Sequence, residues 1–259
     1  MNSYEFVEDQ VMINAKTELL SKVRAGVQPI GTFVTSIDPA TSSIFGSVGF
    51  DFVIIDCEHG PMDKVHALNH VRAAEAAGIF ALARILEKSA SQIQSFLDIG
   101  VQGVIVPHVD NAEQAQTVAK ACRYGPGGRG MCPICNAARY SLDGWQEHMH
   151  QSNENILSII MIESRAGVEN IEAIAAVDGI DGIMFGPGDL SQDMGLDLVS
   201  DKAQLTAAWD RVRNAVRTAG KIILVPAGFG FEGADMVVRD MDLMMLREQA
   251  IRVINAHRA

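Results

Sequence analysis

Residues 79–109 read IFALARILEKSASQIQSFLDIGVQGVIVPHV. An apolar run that ends near Arg84 is followed by a stretch with helical spacing, which stops at Gly100, and then by a second apolar run, GVIVPHV. Short apolar runs bounded by Gly, Pro or Asp are typical of strands buried on both faces of a parallel sheet. A glycine after the last helical turn is typical of a helix end. The segment therefore predicts one strand–helix–strand unit.

The same unit recurs along the chain. Helix-like stretches cover residues 62–78, 89–100, 111–123 and 165–179. Strands that alternate with helices imply right-handed crossovers and a parallel sheet, and eight strands fit closure into a barrel better than an open sheet. We therefore expect an α/β fold, a single (β/α)8 TIM barrel, with a doubly wound sheet as the alternative. The expected strands are 29–35, 52–58, 80–85, 103–109, 157–163, 182–187, 221–226 and 242–247.

The whole chain of 259 residues is expected to form one catalytic domain, residues 1–259, because no linker, low-complexity tract or charge block divides it. Residues 9–25 are predicted to form an extra helix ahead of the barrel, and the last helix is expected at about 247–257. The longest irregular stretch covers about residues 124–155, between strands four and five. A loop of that length is usually functional, in contact with a neighbouring subunit, or mobile.

Composition argues against several kinds of partner. The net charge is -11 and the isoelectric point is near 5.0, whereas phosphate binding needs clustered Lys and Arg. No apolar run reaches the length of a membrane span, and the first residues, MNSYEFVEDQ, carry acids where a signal peptide carries basic residues. We therefore expect a cytoplasmic protein that has neither nucleic acid nor a membrane as a partner.

Two kinds of motif are set aside. Only Cys132 and Cys135 make a CxxC pair, so we interpret the cysteines as free thiols in a reducing compartment, against a redox or metal role. GPGGRG at 125–130 matches a dinucleotide-binding pattern but follows a helix, and GFGFEG at 228–233 follows a strand with only 26 residues after it. The four cysteines stand at positions 57, 122, 132 and 135.

Polar residues gather at the carboxyl ends of the expected strands. Active sites of TIM barrels are built there, by side chains from several strands. The strand interiors are almost purely apolar, so polar residues are concentrated at the strand ends and are not distributed along the strands. These polar ends comprise Asp56, Glu58 and His59 after strand two, Arg84 at strand three, Pro107 and His108 after strand four, Glu163 after strand five and Asp189 after strand six.

Glu163 and Asp189 follow adjacent strands and are candidate metal ligands. Both offer carboxylate oxygen, and no Cys and few His candidates stand beside them. A hard ion that keeps bound water, Mg²⁺ or Mn²⁺, therefore precedes Zn²⁺. The alternative is that each acid caps the helix that follows it. Position alone does not separate the two.

His59 and Arg84 are candidates for proton transfer and anion binding. His59 stands among acids, which suits a general base, and the alternative is a surface histidine at the start of a loop. Strand alternation sends Asp56 and His59 to opposite faces unless the strand has turned into loop by Glu58. Arg84 interrupts an apolar strand, and a buried guanidinium needs an anion. That anion is either a substrate carboxylate or a protein partner such as Glu58 or Glu87.

Three long segments carry a family resemblance: GFDFVIIDCEHGPMD (49–63), ARILEKSASQIQSFLDIGVQGVIVPHVDNAEQA (83–115) and IESRAGVENIEAIAAVDGIDGIMFGPGDLSQDMG (162–195). They resemble the HpcH/HpaI family of metal-dependent (class II) 4-hydroxy-2-oxo acid aldolases over nearly the whole length of the chain. That family has an acid and a His after strand two, an Arg after strand three, Val-Pro after strand four, and a Glu and a GP-x-DL Asp as metal ligands. Several motifs in register are more specific than any one of them.

The resemblance implies a role for each strand-end residue. Glu163 and Asp189 would hold a divalent ion, Mg²⁺ or Mn²⁺ first and Co²⁺ or Ca²⁺ next, which acts as a Lewis acid on a 2-oxo acid. Arg84 would contact the carbonyl oxygen where negative charge grows. The backbone amides around Gly188 and Asp189 would hold the substrate carboxylate.

The resemblance further implies an aldolase, a carbon–carbon lyase that cleaves or forms 4-hydroxy-2-oxo acids through a pyruvate enolate, with an aldehyde as the second substrate. His59, paired with Asp56, would move the proton. Relatives use the same enolate to decarboxylate oxaloacetate or to make citrate from oxaloacetate and acetyl-CoA in siderophore pathways, and both remain alternatives. A homohexamer in which the last helix is swapped between partners is also implied.

The sequence departs from the family pattern in four places. Met161 stands where many relatives carry Gln, Cys57 replaces a smaller residue or Thr, and Gly188 replaces Ala in GP-x-DL. The segment after strand seven, AGFGFEGADMVV (227–238), also differs. These departures bear on the second substrate more than on the metal ion or the enolate.

Overall fold

A computed structural model of the protein describes residues 14–258, and in it eight parallel strands close into a barrel in sequence order. Each strand pairs with its sequence neighbours, and β1 pairs with β8 to complete the ring. The expected (β/α)8 barrel is confirmed, and the doubly wound alternative is wrong. The strands are β1 (Ile30–Val34), β2 (Phe52–Asp56), β3 (Phe80–Arg84), β4 (Gly103–Val106), β5 (Leu157–Ile162), β6 (Gly182–Phe185), β7 (Ile222–Pro226) and β8 (Met236–Met241).

Helices connect the strands, and several carry clear start and stop residues. The side chains of Asp63, Ser89 and Asn111 accept backbone N–H groups at the starts of α3, α4 and α5. Gly78 (φ 71°) and Gly100 (φ 95°) follow α3 and α4 in left-handed backbone, which glycine adopts without steric cost. The helices of the described residues are α1 (Ala15–Arg24), α2 (Ala40–Ser47), α3 (Lys64–Ala76), α4 (Ala90–Asp98), α5 (Ala112–Ala121), α6 (Trp145–Asn155), α7 (Arg165–Glu169), α8 (Ile171–Ala175), α9 (Pro187–Met194), α10 (Lys202–Thr218) and α11 (Asp242–Arg258).

Alternate residues of each strand belong to two different cores. In β2, Phe52 and Ile54 lie inside the barrel, whereas Val53 and Ile55 pack in the layer between strands and helices. This division follows from the two-residue period of a strand. A polar residue that continues the inward series at the carboxyl end of a strand therefore projects into the barrel mouth.

The expected eighth strand at residues 242–247 is wrong. β8 is Met236–Met241, and the residues from Asp242 onward form helix α11. The first three residues of β8 are buried, but Arg239 and Asp240 are exposed, so little of this strand shows as an apolar run. The neighbouring sequence LMML is more apolar, yet so short a run does not distinguish a strand from the first turn of a helix.

Two boundaries inside the barrel also differ from expectation. The stretch expected to be irregular from 124 to 155 contains α6 in its second part, which leaves 122–144 as the irregular segment. The helix expected at 165–179 is divided into α7 and α8 at Asn170. The side-chain amide of Asn170 donates to the backbone carbonyl of Asp110 at 2.9 Å, which ties the break to the loop after β4.

The terminal helices flank the barrel. Helix α1 confirms a helix ahead of β1, and residues 9–13 of the predicted segment 9–25 lie outside the described residues. The last helix begins at Asp242 rather than near 247, and its main contacts are with β1 and β8. Within residues 14–258, no helix has both the length and the apolar content needed to cross a membrane. Large apolar side chains of α11 are exposed at Leu243, Met244, Leu246, Ile251, Val253 and Ile254.

Candidate active site

Three charged side chains project into the carboxyl-terminal mouth of the barrel. Each lies two residues after a member of the interior core and continues its inward series. All three are almost completely enclosed, which is unusual for charged groups and requires partners. They are Asp56 (0% exposed), Arg84 (8%) and Glu163 (2%), which follow Ile54, Leu82 and Met161 respectively.

Asp56 and Arg84 form a bidentate ion pair. The two residues are opposite each other in the register of β2 and β3. Arg84 donates from Nε to Oδ1 of Asp56 at 3.0 Å and from Nη2 to Oδ2 at 2.8 Å. The guanidinium also lies 4.6 Å from the ring centroid of Phe33. The plane of the guanidinium is therefore fixed before any substrate binds.

The expected pairing of Asp56 with the imidazole of His59 is not present among the described residues. The Asp56 carboxylate instead accepts the backbone N–H groups of Glu58 and His59, at 3.1 and 3.2 Å, besides its bonds to Arg84. The His59 side chain is 59% exposed, and its Nε2 lies 3.6 Å from Oε2 of Glu58. The strand has thus turned by Glu58, but the Asp56 carboxylate bonds the backbone of this turn and the guanidinium of Arg84.

Glu58 is a site residue that the sequence analysis named only as a protein partner for Arg84. Its carboxylate is 7% exposed and lies 3.3 Å from Nε of Arg84, whereas Glu87 is exposed. Burial raises the pKa of Glu58, and the charges of the guanidinium and of two histidines oppose the rise. The signal was available in the sequence, because Glu58 continues the inward series through Asp56.

His108, the second residue after β4, contacts two of the acids. Its backbone N–H donates to Oε1 of Glu163 at 2.7 Å, and its Nδ1 lies 3.1 Å from the same oxygen. Its Nε2 lies 3.5 Å from Oε1 of Glu58. The sequence analysis placed His108 at a strand end and gave it no role.

Glu163 and Asp189 are the two acids of the mouth that could hold a divalent metal ion. Oε1 of Glu163 accepts the backbone N–H of His108, but Oε2 is buried without a hydrogen-bond partner among the described residues. Burial raises the pKa of Glu163, and the nearby charges of Glu58 and Asp189 add to the rise. An enclosed carboxylate oxygen with no donor, beside a second carboxylate, is an arrangement that a divalent cation satisfies.

Two further observations bear on the alternative that these acids cap helices. Ser164, not Glu163, caps α7, since its hydroxyl accepts the N–H of Gly167. Asp189 lies inside the first turn of α9, whose N-cap residue is Gly186.

Among the described residues there is no cluster of three or more His, Cys, Asp and Glu side chains suited to a metal. Mg²⁺ characteristically binds through one or two carboxylates and fills its other positions with water and substrate oxygen.

Helix α9 also presents backbone donors at the mouth. The N–H groups of Gly188 and Asp189 belong to its first turn, where no intrahelical acceptor exists. Such groups favour anions. A Cβ at Gly188 would meet no atom within 4 Å, so Gly in place of Ala leaves the shape of this turn unchanged.

Two other departures from the family pattern, Met161 and Cys57, lie off the polar surface of the mouth. Met161 belongs to the interior layer beneath Glu163. Cys57 packs toward the helices, and burial raises its pKa to about 12, so the thiol is neutral. The segment between β7 and β8 is only 227–235, because the MVV that follows it is part of β8.

A cavity of about 360 Å³ lies at the other end of the barrel. Its lining includes residues that immediately precede β4 and β5, such as Gln102 and Ile156, which places it at the amino ends of the strands. The cavity and the charged mouth therefore lie at opposite ends of the barrel, although ligand sites are usually concave.

Comparison with known proteins shows the family of the chain. The family model described as HpcH/HpaI aldolase/citrate lyase matches residues 29–242. A hydroxypyruvate/pyruvate aldolase of Pseudomonas aeruginosa is 33% identical over 202 residues, which is 77% of this chain and 75% of that protein. A 2-keto-3-deoxy-L-rhamnonate aldolase of Salmonella gallinarum is 32% identical over 236 residues, 87% of each protein. The crystal structure of citrate synthase SbnG matches with a TM-score of 0.79 and 29% identity, covering 92% of this chain and 96% of that one.

The match spans β1 to β8 and includes every charged residue of the barrel mouth described above. The two relatives from Pseudomonas aeruginosa and Salmonella gallinarum, which are matched over 75% and 87% of their own length, are aldolases. Aldolases break or form carbon–carbon bonds. The chain therefore belongs to the HpcH/HpaI aldolase/citrate lyase family and is a carbon–carbon lyase with small-molecule substrates.

Proposed function

We propose that the protein is a divalent-metal-dependent aldolase that cleaves or forms 4-hydroxy-2-oxo acids through a pyruvate enolate. The observation that carries the proposal is the buried Oε2 of Glu163, which has no donor and lies in the same mouth as Asp189. Glu163 and Asp189 would hold the ion, with Mg²⁺ or Mn²⁺ preferred over Co²⁺ or Ca²⁺ because only two carboxylates are offered, which suits a hard ion that keeps several waters. When bound, the ion supplies Lewis-acid stabilisation of negative charge on the 2-oxo acid.

Arg84 would stabilise the enolate oxygen. Its Nε and Nη2 contact Asp56, and among the described residues its contacts with Asp56 and Glu58 do not use Nη1. Nη1 is therefore the donor available to a substrate oxygen. A donor held in place beforehand stabilises developing charge without reorganisation, which is the most effective form of electrostatic catalysis.

The first turn of α9 would bind the substrate carboxylate. The N–H groups of Gly188 and Asp189 point out of the helix start and have no intrahelical acceptor. Contacts to a carboxylate are made equally in ground and transition states, so they serve orientation. They would turn the reacting carbonyl toward Arg84.

His59 would transfer the proton. Its exposed imidazole can exchange protons with solvent, and the buried carboxylate that faces its Nε2 is Glu58. We therefore assign the partner role that the sequence analysis gave to Asp56 to Glu58. Asp56 acts by positioning Arg84.

A second use of the same enolate is favoured by the likeness to citrate synthase SbnG. In this alternative the protein condenses oxaloacetate with acetyl-CoA or decarboxylates oxaloacetate. The residues assigned to the ion and the enolate would keep their roles, and only the group that approaches the enolate would change. The segment 227–235 at the carboxyl end of β7 lies where such a difference would be made.

We also propose a cytoplasmic homohexamer in which α11 packs against a neighbouring subunit. The exposed apolar side chains of α11 support the subunit contact. The four free cysteines suit a reducing compartment.

The test compares two products. Pyruvate formation from several 4-hydroxy-2-oxo acids, and free thiol release from acetyl-CoA with oxaloacetate, are each measured with Mg²⁺, with Mn²⁺ and with a chelator. We expect metal-dependent pyruvate formation that Glu163→Gln abolishes. Thiol release without pyruvate formation would favour citrate synthesis.

Borohydride trapping separates this chemistry from a Schiff-base mechanism. Lys88 reaches the edge of the mouth, but its ammonium donates to the carbonyl of His108 at 2.6 Å and to Gln114. Lys221 precedes β7 at the opposite end of the barrel. Pyruvate trapped covalently on the protein, with activity that survives the chelator, would overturn the metal-dependent proposal.

A further inference from the structure

His108 has a backbone conformation that its residue type seldom adopts. Its φ is 55°, in the left-handed region. Residues other than glycine occupy this region at a cost in free energy, and they do so where the surrounding structure imposes it, often at functional sites. The contacts of His108 show what imposes it here.

Three neighbouring chain segments engage His108. Its N–H and its Nδ1 both meet Oε1 of Glu163, at 2.7 and 3.1 Å. Its Nε2 faces Oε1 of Glu58 at 3.5 Å, and its carbonyl accepts from Nζ of Lys88 at 2.6 Å. The segments after β2, β3 and β5 thus converge on the residue that follows Pro107.

These contacts make the two oxygens of Glu163 unequal. Oε1 accepts the backbone N–H of His108 and lies 3.1 Å from Nδ1 of the same residue, whereas Oε2 is buried without a donor among the described residues. The space beside Oε2 depends on Gly186, because a Cβ there would lie 2.8 Å from that oxygen. The terminal torsion of a Glu side chain is broad, so without a tether on Oε1 the carboxylate can turn.

We infer that the imidazole of His108 is a positioning group that holds Glu163 in the one orientation in which Oε2 is presented to a divalent ion. The inference rests on the proposed function, since it concerns the same ion. His108 acts through Glu163 and needs no contact with substrate. Groups that orient a metal ligand in this way typically contribute about 10- to 100-fold to metal affinity.

The test is the affinity for Mn²⁺ of the full-length, metal-free protein without substrate, measured from the electron paramagnetic resonance signal of free Mn²⁺. In His108→Gly the backbone N–H to Glu163 remains and the left-handed backbone is relieved. We therefore expect an unchanged or higher melting temperature together with a Kd for Mn²⁺ raised about 10- to 100-fold. His108→Asn should recover part of the affinity, because Asn tolerates this backbone and its amide can donate to Oε1.

The matched control is Arg139→Gly. Arg139 also has left-handed backbone, with φ 53°, but it lines the cavity at the opposite end of the barrel. Its replacement should leave the Kd for Mn²⁺ unchanged. A His108→Gly protein that binds Mn²⁺ like the unaltered protein, while Glu163→Gln has lost binding, would overturn the inference and leave the proposed function intact. Binding unaffected by Glu163→Gln would overturn both.

Discussion

Arg84 serves a protein carboxylate and, in the proposed reaction, a substrate oxygen. Asp56 has no solvent contact, so its charge depends on the guanidinium for compensation. The two atoms that bond Asp56 are Nε and Nη2, which leaves Nη1 directed elsewhere. Arg84 can therefore stabilise the fold and also take part in the reaction. The first role is measured by the melting temperature and the second by kcat.

Arg84→Ala is expected to lower both the melting temperature and kcat. The buried Asp56 carboxylate loses its partner, which typically costs about 3–5 kcal/mol. The enolate oxygen loses a preorganised donor, which is worth about 10²- to 10³-fold in kcat, with a smaller change in KM. Arg84→Lys should recover little, because Lys lacks the planar fork. Thermal unfolding and steady-state kinetics on one preparation measure both effects.

A neutral pair separates the two roles of Arg84. Asp56→Asn combined with Arg84→Gln removes both charges and lets two amides hydrogen-bond, so it should regain much of the melting temperature without regaining kcat. A near-normal kcat on the folded fraction of Arg84→Ala would show that the guanidinium is structural only.

His70 predicts a loss of stability in mild acid. It is fully buried between Oγ of Ser42 (2.8 Å) and the carbonyl of Ser36 (2.9 Å), and burial lowers its pKa below 6.5. The unfolded state then binds a proton at a pH where the folded state does not, so stability falls as pH drops below about 6.5. We expect the melting temperature to decrease from about pH 7.5 to about pH 5.5 and to decrease less in His70→Gln.

Some pH dependence of the melting temperature should remain in His70→Gln, because burial also lowers the pKa of His148. An identical pH dependence in His70→Gln and the unaltered protein would contradict the assignment to His70.

At the scale of secondary-structure elements, Asp242 joins the end of the barrel to α11. Its Oδ1 accepts from the backbone N–H and hydroxyl of Thr35, and its Oδ2 accepts from the N–H of Ser36. Oδ1 also accepts the N–H of Leu243 in the first turn of α11. One carboxylate thus fixes where β8 stops, where α11 starts and how both meet the end of β1.

Asp242→Ala is expected to destabilise the fold by about 1–3 kcal/mol, because buried backbone donors lose their acceptor. Urea unfolding followed by circular dichroism measures this difference. Asp210→Ala is the control, since the Asp210 side chain is 48% exposed and paired with Arg213 on the surface of α10, so its loss should change stability by less than about 1 kcal/mol. Equal effects of the two substitutions would show that the junction is unimportant.

The contrast between β2 and β8 explains which strands the sequence could predict. β2 is buried along its whole length, so its apolar run stands out from the flanking polar residues. β8 is buried only in its first half, and its neighbour α11 exposes many apolar side chains of its own. The apolar pattern therefore indicates the wrong segment here, because the strand is only partly buried and the helix after it carries exposed apolar side chains.

Closure of the barrel explains why the position of the candidate site could be predicted from the sequence. It also explains why the ion pair within that site could not. A parallel barrel sends all strand ends to one mouth, so Arg84 and Glu163 were expected to lie together from their positions alone. The Asp56–Arg84 pair depends on the register between β2 and β3, which no single strand encodes. The role of His108 depends on a left-handed backbone, which remains uncommon for any residue other than glycine and is imposed here by contacts with other strands.

Assembly is the last property that depends on the whole molecule. Helix α11 exposes Leu246 at 65% and Ile254 at 45%, besides four other large apolar residues, although most of its contacts within the chain are with β1 and β8. An apolar helix left uncovered in one subunit is stabilised by burial in another. We expect the protein to be an oligomer, a hexamer by our proposal, at micromolar concentration.

Leu246→Arg should dissociate this oligomer, because a charge would have to be buried at the subunit contact. Asn255→Arg is the matched control. It adds the same charge to the same helix, but it lies about two and a half turns from Leu246 and therefore on the opposite side, near Met244 and Ile251. Size-exclusion chromatography with light scattering should give a smaller mass for Leu246→Arg and an unchanged mass for Asn255→Arg. A monomeric mass for the unaltered protein would mean that α11 remains exposed in solution, and equal dissociation by both variants would mean that the subunit contact is not confined to the side of α11 that carries Leu246.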